Sequence, residues 1–229
     1  MTPIAVFYHA LFYFGSPPEL RVPACAIVAE QMGQLQESGL AAAANEIVIG
    51  INGPPMESAF MADTLLPARA RKIFHGPDSF SENLTIVEVE NWVKTHPHWF
   101  ILYFHAKGCT HPEGSPYAAS VSEPWRRIMM AHLVMNWQAC VRDLEAGYDI
   151  ACVRWMWNMA DGTQHIPAGN FLWVKSNFVA SLPSIYLRDR IKLSGIAAKE
   201  SRYEAEVYWG NGRTPYVRTY QSGPGNGIP

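Results

Sequence analysis

The sequence has few charged residues and no long run of either basic or apolar residues. Charged residues make up 17% of the 229 positions and the formal net charge is −2, so nucleic acid is not an expected partner. No apolar run approaches the length of about 18 residues that indicates a membrane span, and the amino terminus lacks the pattern of a signal peptide. We therefore expect a soluble, cytoplasmic protein. Hydrophobic residues, at 48%, are sufficient for a sizeable core.

Several motifs of catalysis and metal binding are also absent. The four cysteines lie far apart without a C-x-x-C pair, which favours reduced thiols over a disulfide framework or a zinc site. There is no G-x-G-x-x-G after the first predicted strand, no G-x-x-x-x-G-K-[ST] and no G-x-S-x-G. Dinucleotide-binding, P-loop and α/β-hydrolase chemistry are therefore not supported. None of the eight histidines forms an H-x-x-x-H pair.

The sequence does contain an alternation of buried strands and amphipathic helices. Apolar runs predict strands at 3–9, 46–52, 71–75, 99–105, 148–154 and 170–174. Helices are predicted to begin near Pro23, after an S-x-x-E capping box at 79–82, at Pro124 and near Glu200. This alternation predicts a single α/β domain over residues 1–221, with a mostly parallel sheet and helices on both faces. The tail, residues 222–229, is rich in Gly and Pro and is expected to be flexible.

The run from Trp99 to Phe104 is the centre of this pattern. Six consecutive apolar or aromatic residues predict a strand that is buried on both faces. The strand delivers His105, Lys107 and Gly108 at its carboxyl end, where open α/β sheets bind ligands. A lysine beside a glycine suits a phosphate or pyrophosphate group, although an ordinary polar loop after a core strand is the alternative.

Two further segments are predicted to end at the same edge of the sheet. Tyr8 and His9 close the first strand, and an aromatic ring there could stack on a base. Gly169, Asn170 and Trp173 combine close backbone approach, an amide and an aromatic face, as sugar sites do. Strand alternation puts Trp173 on the face opposite Asn170, so only one of them is expected to face the cleft. The alternative is that Gly169 and Asn170 form a tight turn before a buried strand.

The order of several motifs resembles that of a family of GT-A-like glycosyltransferase domains. Members show a Tyr-His pair, a His-x-Lys-Gly, a Trp-Arg helix start and a Gly-Asn-Phe-Trp-Trp segment. The corresponding segments here are YHA, SGL, HAKG, PWRRIMM, NWQACVRDLEAGYD and HIPAGNFLW, spread over residues 5–210. The resemblance implies a Rossmann-like GT-A-type fold and transfer of a sugar from a nucleoside diphosphate donor to a glycan or other hydroxyl acceptor, as in polysaccharide biosynthesis.

Each part of this expected reaction has candidate residues. The donor-binding candidates are Tyr8, His9, Asn52, Gly53, His105, Lys107, Gly108 and Arg126, with Arg127 as an alternative helper. The acceptor-binding candidates are Gly169, Asn170 and Trp173. For the base that deprotonates the acceptor, Glu206 is the first choice, and His165 and Asp161 are the alternatives.

The sequence departs from the family pattern at two points. GT-A enzymes usually hold a divalent metal with Asp-x-Asp after a central strand, and His105-Ala106-Lys107 occupies that place here. Lys107 could neutralise the departing diphosphate instead, which would make the enzyme metal-independent. The alternative is a divalent metal, Mn²⁺ or Mg²⁺, and Asp78 and Asp161 are isolated carboxylates that could each serve it. Leu172 stands where the family tends to have an aromatic residue.

Two other functions are compatible with these features. A GT-A-like domain without a metal site could be a non-catalytic module that binds glycans or a protein. A nucleotidyltransferase on a similar fold would be expected to carry a Gly-rich loop after the first strand, and residues 8–14 contain no such loop.

Overall fold

The computed structural model describes residues 2–12, 21–53, 55–76, 82–109, 115–157, 165–185 and 204–220. Its main feature is a seven-stranded sheet in the order β3-β2-β1-β4-β8-β5-β9. The strands are β1 (Ile4–Leu11), β2 (Glu46–Asn52), β3 (Arg71–Gly76), β4 (Phe100–His105), β5 (Ile150–Cys152), β8 (Leu172–Lys175) and β9 (Val217–Thr219). A separate two-stranded sheet pairs β6 (Trp155–Trp157) with β7 (His165–Pro167).

Helices cover both faces of the large sheet. On one face lie α1 (Arg21–Glu37), α3 (Pro55–Leu65), α5 (Glu123–Met130) and α6 (Trp137–Glu145). On the other lie α4 (Asn83–Val93), α7 (Ser176–Val179) and α8 (Glu204–Tyr208). The short α2 (Leu40–Ala43) follows α1 after Gly39, whose φ of 76° ends the helix. We refer to the α1 side as the first face and to the α4 side as the second face.

The direction of the strands confirms the predicted mostly parallel sheet. Strands β1 to β4 pair in parallel, whereas β8 is antiparallel to both β4 and β5. Because two reversals cancel, β5 runs in the same direction as β4. The four principal predicted strands therefore lie in one sheet with a common direction, and the α/β, Rossmann-like fold predicted from the sequence is confirmed.

Strand β4 shows why an unbroken apolar run was needed at the centre. Phe100, Leu102 and Phe104 point to the first face, while Ile101 and Tyr103 point to the second. None of these five residues is more than 6% exposed. Because helices cover both faces of β4, none of these side chains faces solvent. The sequence therefore does not alternate between apolar and polar residues.

The structure also differs from the sequence-based prediction in several elements. The sequence predicts that Gly53-Pro54-Pro55 only stops β2, but helix α3 begins at Pro55, because proline suits the first turn of a helix. The sequence predicts a turn over residues 155–165, whereas the structure has β6 at its start and the first residue of β7 at its end. Strand β9 was not predicted, since three residues are too short to show a pattern.

The sequence predicts one long helix from Pro124 to about Ala146, and the structure divides it. A π-helical turn at Ala131–Met135 separates α5 from α6, and another at Ala118–Ser122 precedes α5. The indole Nε1 of Trp173 donates to the carbonyl of Leu133 at 2.8 Å within the first of these turns. A wide turn disturbs the regular i→i−4 bonding, and the indole satisfies a carbonyl there.

Within the described residues, none of the helices has the length and apolar character needed to cross a membrane. The capping-box residues 79–81 and the tail 222–229 lie outside the described residues.

Candidate active site

A row of polar residues crosses the second face at the carboxyl edge of the sheet. His9 of β1 is paired in register with Gly50 of β2 on one side and with His105 of β4 on the other. His75, near the end of β3, continues the row. Helix α4 begins over these residues, and its Thr85 is fully buried against them. The row lies beside the junction of β1 and β4, where the order of strands reverses and open α/β sheets form a crevice.

Thr85 links two of the histidines. Its Oγ1 is 2.9 Å from Nδ1 of His9 and 3.3 Å from Nε2 of His75. Gly50 makes room for this arrangement, because a Cβ on it would collide with Thr85 Oγ1 and would lie 2.6 Å from His75 Nε2. The other ring nitrogen of His9, Nε2, is buried and has no hydrogen-bond partner among the described residues.

Glu82, the residue that precedes α4, brings a carboxyl group to this row. Its Oε2 accepts hydrogen bonds from Asn170 Nδ2 at 2.6 Å and from the hydroxyl of Tyr103 at 3.1 Å. Its Oε1 lies 3.3 Å from His105 Nδ1. The side chain is 20% exposed.

A tight turn before β8 holds the other side of this cluster. Gly169 and Asn170 have positive φ angles of 80° and 57°, which glycine and asparagine tolerate better than other residues. The turn presents the carbonyl of Gly169 to His105 Nε2, which donates to it at 3.0 Å. The Oδ1 of Asn170 accepts from Trp209 Nε1 at 2.6 Å, so both ends of the amide are held.

Burial dominates the ionisation of these groups. It lowers the pKa of His9 to about 4, and together with the positive charge of Lys107 it lowers the pKa of His105 to about 3. Burial also lowers the pKa of His75. It raises the pKa of Glu82, an effect that His9, Lys107 and the hydrogen bonds from Asn170 and Tyr103 oppose. The three histidines are therefore neutral at pH 7.

The turn after β4 carries the predicted anion-binding residues Lys107 and Gly108. Arg126 of α5 clamps this turn, because its NH1 donates to the carbonyl of Lys107 at 3.1 Å while NH2 pairs with Glu30 of α1 at 3.1 Å. Gly108 adopts φ 94°, and a Cβ there would lie 3.4 Å from the Arg126 guanidinium. Arg126 is only 6% exposed and holds the turn from beneath, whereas Lys107 is partly exposed.

The structure brings together most of the residues predicted for the site. His9, His105, Lys107, Gly108, Gly169 and Asn170 form one connected group at the carboxyl edge. Asn52 ends β2 at the same edge and is fully buried. Gly53 follows with φ 148°, and a Cβ there would collide with the carbonyl oxygen of Phe12 and with Ser58.

Two aromatic candidates point away from this group. Tyr8 is fully buried on the first face, where its hydroxyl donates to Gln31 Oε1 at 2.7 Å and its ring packs against Phe104. Trp173 is also fully buried on the first face. Gly169 approaches side chains of α5, since a Cβ on it would lie 2.6 Å from Trp125 Nε1 and 2.8 Å from Met129 Sδ.

The candidates for base and metal binding are only partly described. Glu206 lies on α8 and is partly exposed, and the backbone of His165 belongs to β7. Asp78, Asp161 and the side chain of His165 lie outside the described residues. Arg127 is exposed and pairs with Glu123 on its own helix. Within the described part of the chain, no group of three His, Cys, Asp or Glu residues is arranged to hold a metal ion.

Sequence reasoning missed five residues of the cluster: His75, Glu82, Thr85, Tyr103 and Trp209. Only Glu82 carried a local signal, as the last residue of the S-x-x-E pattern, and that signal indicates a helix start rather than a site. Tyr103 was hidden within the apolar run of β4. Their role depends on the packing of α4 and of the segment after α8 against the sheet.

The chain is similar to several solved structures at low sequence identity. A cytidylyltransferase from Leptospira borgpetersenii serovar Hardjo-bovis (strain JB197) has a TM-score of 0.50 at 8% identity, with 99% of this chain and 79% of that chain covered. A protein from Desulfovibrio desulfuricans G20 described as a nucleotide-diphospho-sugar transferase has a TM-score of 0.49 at 9% identity, with coverages of 96% and 80%. A 4-diphosphocytidyl-2C-methyl-D-erythritol synthase from Anaerococcus prevotii DSM 20548 has a TM-score of 0.42 at 11% identity, with coverages of 98% and 91%.

The likeness to the Leptospira protein shows that the two chains share an α/β fold. The family itself is given by the sequence: a family model described as a domain of unknown function (DUF8361) matches residues 7–185, and the chain belongs to this family. No curated protein matches the sequence.

Proposed function

We propose that this protein transfers a sugar from a nucleoside diphosphate donor to a hydroxyl acceptor at the carboxyl edge of β1 and β4. The observation that carries the proposal is the placement of Lys107. Its ammonium follows the central strand beside the reversal of strand order, and among the described residues it makes no ion pair. A positive charge there is available to the diphosphate of a donor.

The surrounding residues support this role for Lys107. Arg126 fixes the backbone of the turn, so the lysine starts from a rigid position. Gly108 allows the turn its φ of 94° and leaves space for the Arg126 guanidinium, which a Cβ there would approach to 3.4 Å. His9 contributes a buried Nε2 without a partner among the described residues, and such a group gains from a hydrogen bond to a ligand.

Other proposed roles follow from position. Asn52 and Gly53 belong to the donor side because they end β2 at the same edge. Tyr8 and Arg126 support the donor site without facing it. Tyr8 acts through its hydrogen bond to Gln31, and Arg126 acts through its hydrogen bond to the carbonyl of Lys107. On the acceptor side, Gly169, Asn170 and Trp173 act as supports for the cleft, and Glu206, His165 and Asp161 remain the bases proposed from the sequence.

In the proposed reaction, the bond that forms is matched by one that breaks. The acceptor oxygen forms a bond to the anomeric carbon, and the bond from that carbon to the phosphate oxygen breaks. The leaving diphosphate takes the electron pair, which Lys107 stabilises, and the hydroxyl proton passes to a base.

The test is calorimetry with UDP-, GDP-, CDP- and dTDP-sugars, with and without Mn²⁺. Lys107→Ala should weaken binding of the preferred compound by about 1.5–3 kcal/mol, the range for a hydrogen bond to a charged group. Lys94→Ala is the matched control, because it removes one exposed lysine at the far end of α4. Equal affinity in the Lys107→Ala and Lys94→Ala variants would remove Lys107 from the donor site.

A second candidate is nucleotidyl transfer, the activity named for the Leptospira protein of the same fold. There the phosphate of a sugar phosphate attacks the α-phosphorus of a nucleoside triphosphate, and pyrophosphate leaves. The two reactions are separated by their products. Release of a nucleoside diphosphate from a nucleotide sugar supports glycosyl transfer, whereas pyrophosphate release from a triphosphate and a sugar phosphate supports nucleotidyl transfer. Binding without either product would favour a glycan- or protein-binding module.

A further inference from the structure

The hydrogen bonds of His105 fix which of its ring nitrogens carries the proton. The carbonyl of Gly169 can only accept, so Nε2 must donate to it. A neutral imidazole has one N–H, and Nδ1 of His105 is then an acceptor. That acceptor faces Oε1 of Glu82 at 3.3 Å.

An ionised Glu82 would place two acceptors against each other at this contact. Its other oxygen, Oε2, already accepts from Asn170 and Tyr103, so a proton on the carboxyl group belongs on Oε1. A single hydrogen between Oε1 and Nδ1 satisfies both atoms. The resulting chain runs from Tyr103 and Asn170 through the carboxyl group and the imidazole to the carbonyl of Gly169.

We propose that Glu82 and His105 share one proton and that this pair, in place of the bases proposed from the sequence, is the acid/base group of the site. The inference rests on the proposed function for its catalytic part. The sharing of the proton rests on the hydrogen bonds from Asn170, Tyr103 and His105, on the 3.3 Å contact between Glu82 Oε1 and His105 Nδ1, and on burial, which favours the neutral imidazole. After the pair has lost its shared proton, Glu82 Oε1 accepts the proton of the attacking hydroxyl while the anomeric carbon–phosphate bond breaks. The side chains of Glu82 and His105 keep some exposure, 20% and 12%.

The proton affinity of the pair is set by the groups packed around it. The titratable or charged groups are His9 of β1, Tyr103 of β4, and Lys107 and Cys109 of the following turn, with His75 of β3 linked through Thr85. Burial favours the neutral carboxyl group, while the positive charge of Lys107 favours loss of its proton. A bound diphosphate near Lys107 would cancel that charge and strengthen the hold of the pair on its proton.

The decisive variant is Glu82→Gln, because glutamine has the shape and hydrogen-bonding pattern of the protonated carboxyl group. Its amide oxygen can accept from Asn170 and Tyr103 while its N–H donates to His105 Nδ1. We expect this variant to fold with wild-type stability and to lose transfer about 100-fold or more, the typical contribution of a general base. Glu88→Gln, on the exposed side of the same helix, is the matched control and should keep wild-type transfer.

Nuclear magnetic resonance of ¹⁵N-histidine-labelled protein tests the shared proton without any substrate. The expected result is a His105 ring protonated on Nε2 alone at pH 7, and an infrared band of a protonated carboxyl group that is absent in Glu82→Gln. A doubly protonated His105 ring at pH 7, or loss of folding in Glu82→Gln with retained folding in Glu88→Gln, would overturn the proton assignment.

Activity tests the catalytic part separately. Transfer and its background reaction, transfer to water, are followed by nucleoside diphosphate release from the nucleotide sugar that binds in calorimetry. Wild-type turnover in Glu82→Gln would overturn the acid/base role. If wild-type protein turns over no nucleotide sugar, the proposed function and the acid/base role fail together, while the spectroscopic result still decides whether the proton is shared.

Discussion

Glycine at position 50 determines how closely α4 approaches the sheet. The site depends on Thr85 reaching both His9 and His75, and only a residue without a side chain leaves room for that hydroxyl. A buried polar group that loses its partner costs about 1–3 kcal/mol. Gly50 is therefore needed for the geometry of the proposed site although it has no chemistry of its own.

Gly50→Ala should destabilise the protein by about 2–4 kcal/mol, because a methyl group would displace Thr85 and break its contacts with His9 and His75. Urea unfolding measures this change. Gly33→Ala is the control, since Gly33 lies in α1 and a Cβ on it would have no neighbouring atom within 4 Å. It should stabilise the protein by about 0.5–1 kcal/mol through helix propensity. Equal effects of the two substitutions would mean that α4 can shift freely.

At the level of elements, the turn at Gly169–Asn170 positions the polar cluster, as Gly50 does by making room for Thr85. It fixes the carbonyl that orients His105 and the amide that holds Glu82. Both central residues adopt left-handed backbone conformations, and the turn packs directly on α5. The turn therefore couples α5 on the first face to the polar cluster on the second.

Gly169→Ala tests this coupling. The substitution adds backbone strain at φ 80° and a clash with Trp125 and Met129, so we expect a loss of about 2–4 kcal/mol in unfolding free energy. Gly147→Ala shares the positive φ, at 116°, but has no neighbouring atom within 4 Å, and it should lose only the strain, about 1–2 kcal/mol. If Gly147→Ala is as damaging as Gly169→Ala, packing against α5 does not matter.

The sequence predicted the elements well where each has a strong pattern of its own. The runs at 46–52 and 99–105 became β2 and β4 because strands buried on both faces need continuous apolar residues. The small sheet of β6 and β7 could not be predicted, since its three-residue strands are held by pairing with each other. Helix α3 was not predicted, because two consecutive prolines after a strand are typical of a stop signal as well as of a helix start.

At the level of the whole molecule, the sequence predicted the site residues that lie at the carboxyl ends of strands. His9 and His105 follow apolar runs, and two parallel strands necessarily bring their carboxyl ends together. The period of two should also have placed Tyr8 on the face opposite His9, and the structure shows this arrangement. Glu82 and Trp209 reach the cluster only through tertiary packing, which no local pattern encodes.

The clustering of neutral histidines makes the stability of the whole molecule depend on pH. In the unfolded chain a histidine binds a proton near pH 6.5, whereas in the folded protein His9 does so only at about pH 4. Between these values the unfolded state binds more protons, so the free energy of unfolding falls as the pH falls. His105 contributes in the same direction, and the raised pKa of Glu82 contributes in the opposite direction.

His9→Asn isolates one part of this dependence, because the asparagine side chain can take the place of Nδ1 in the contact with Thr85. The loss of unfolding free energy between pH 7.5 and pH 5.0 should be about 2 kcal/mol smaller in this variant than in the wild type, as linkage predicts for a shift from 6.5 to about 4. Urea unfolding at the two pH values measures the difference. His98→Asn removes an exposed histidine and should keep the wild-type difference. If His9→Asn also keeps it, then proton uptake by His9 does not drive acid unfolding, and the buried row is not the source of the pH dependence.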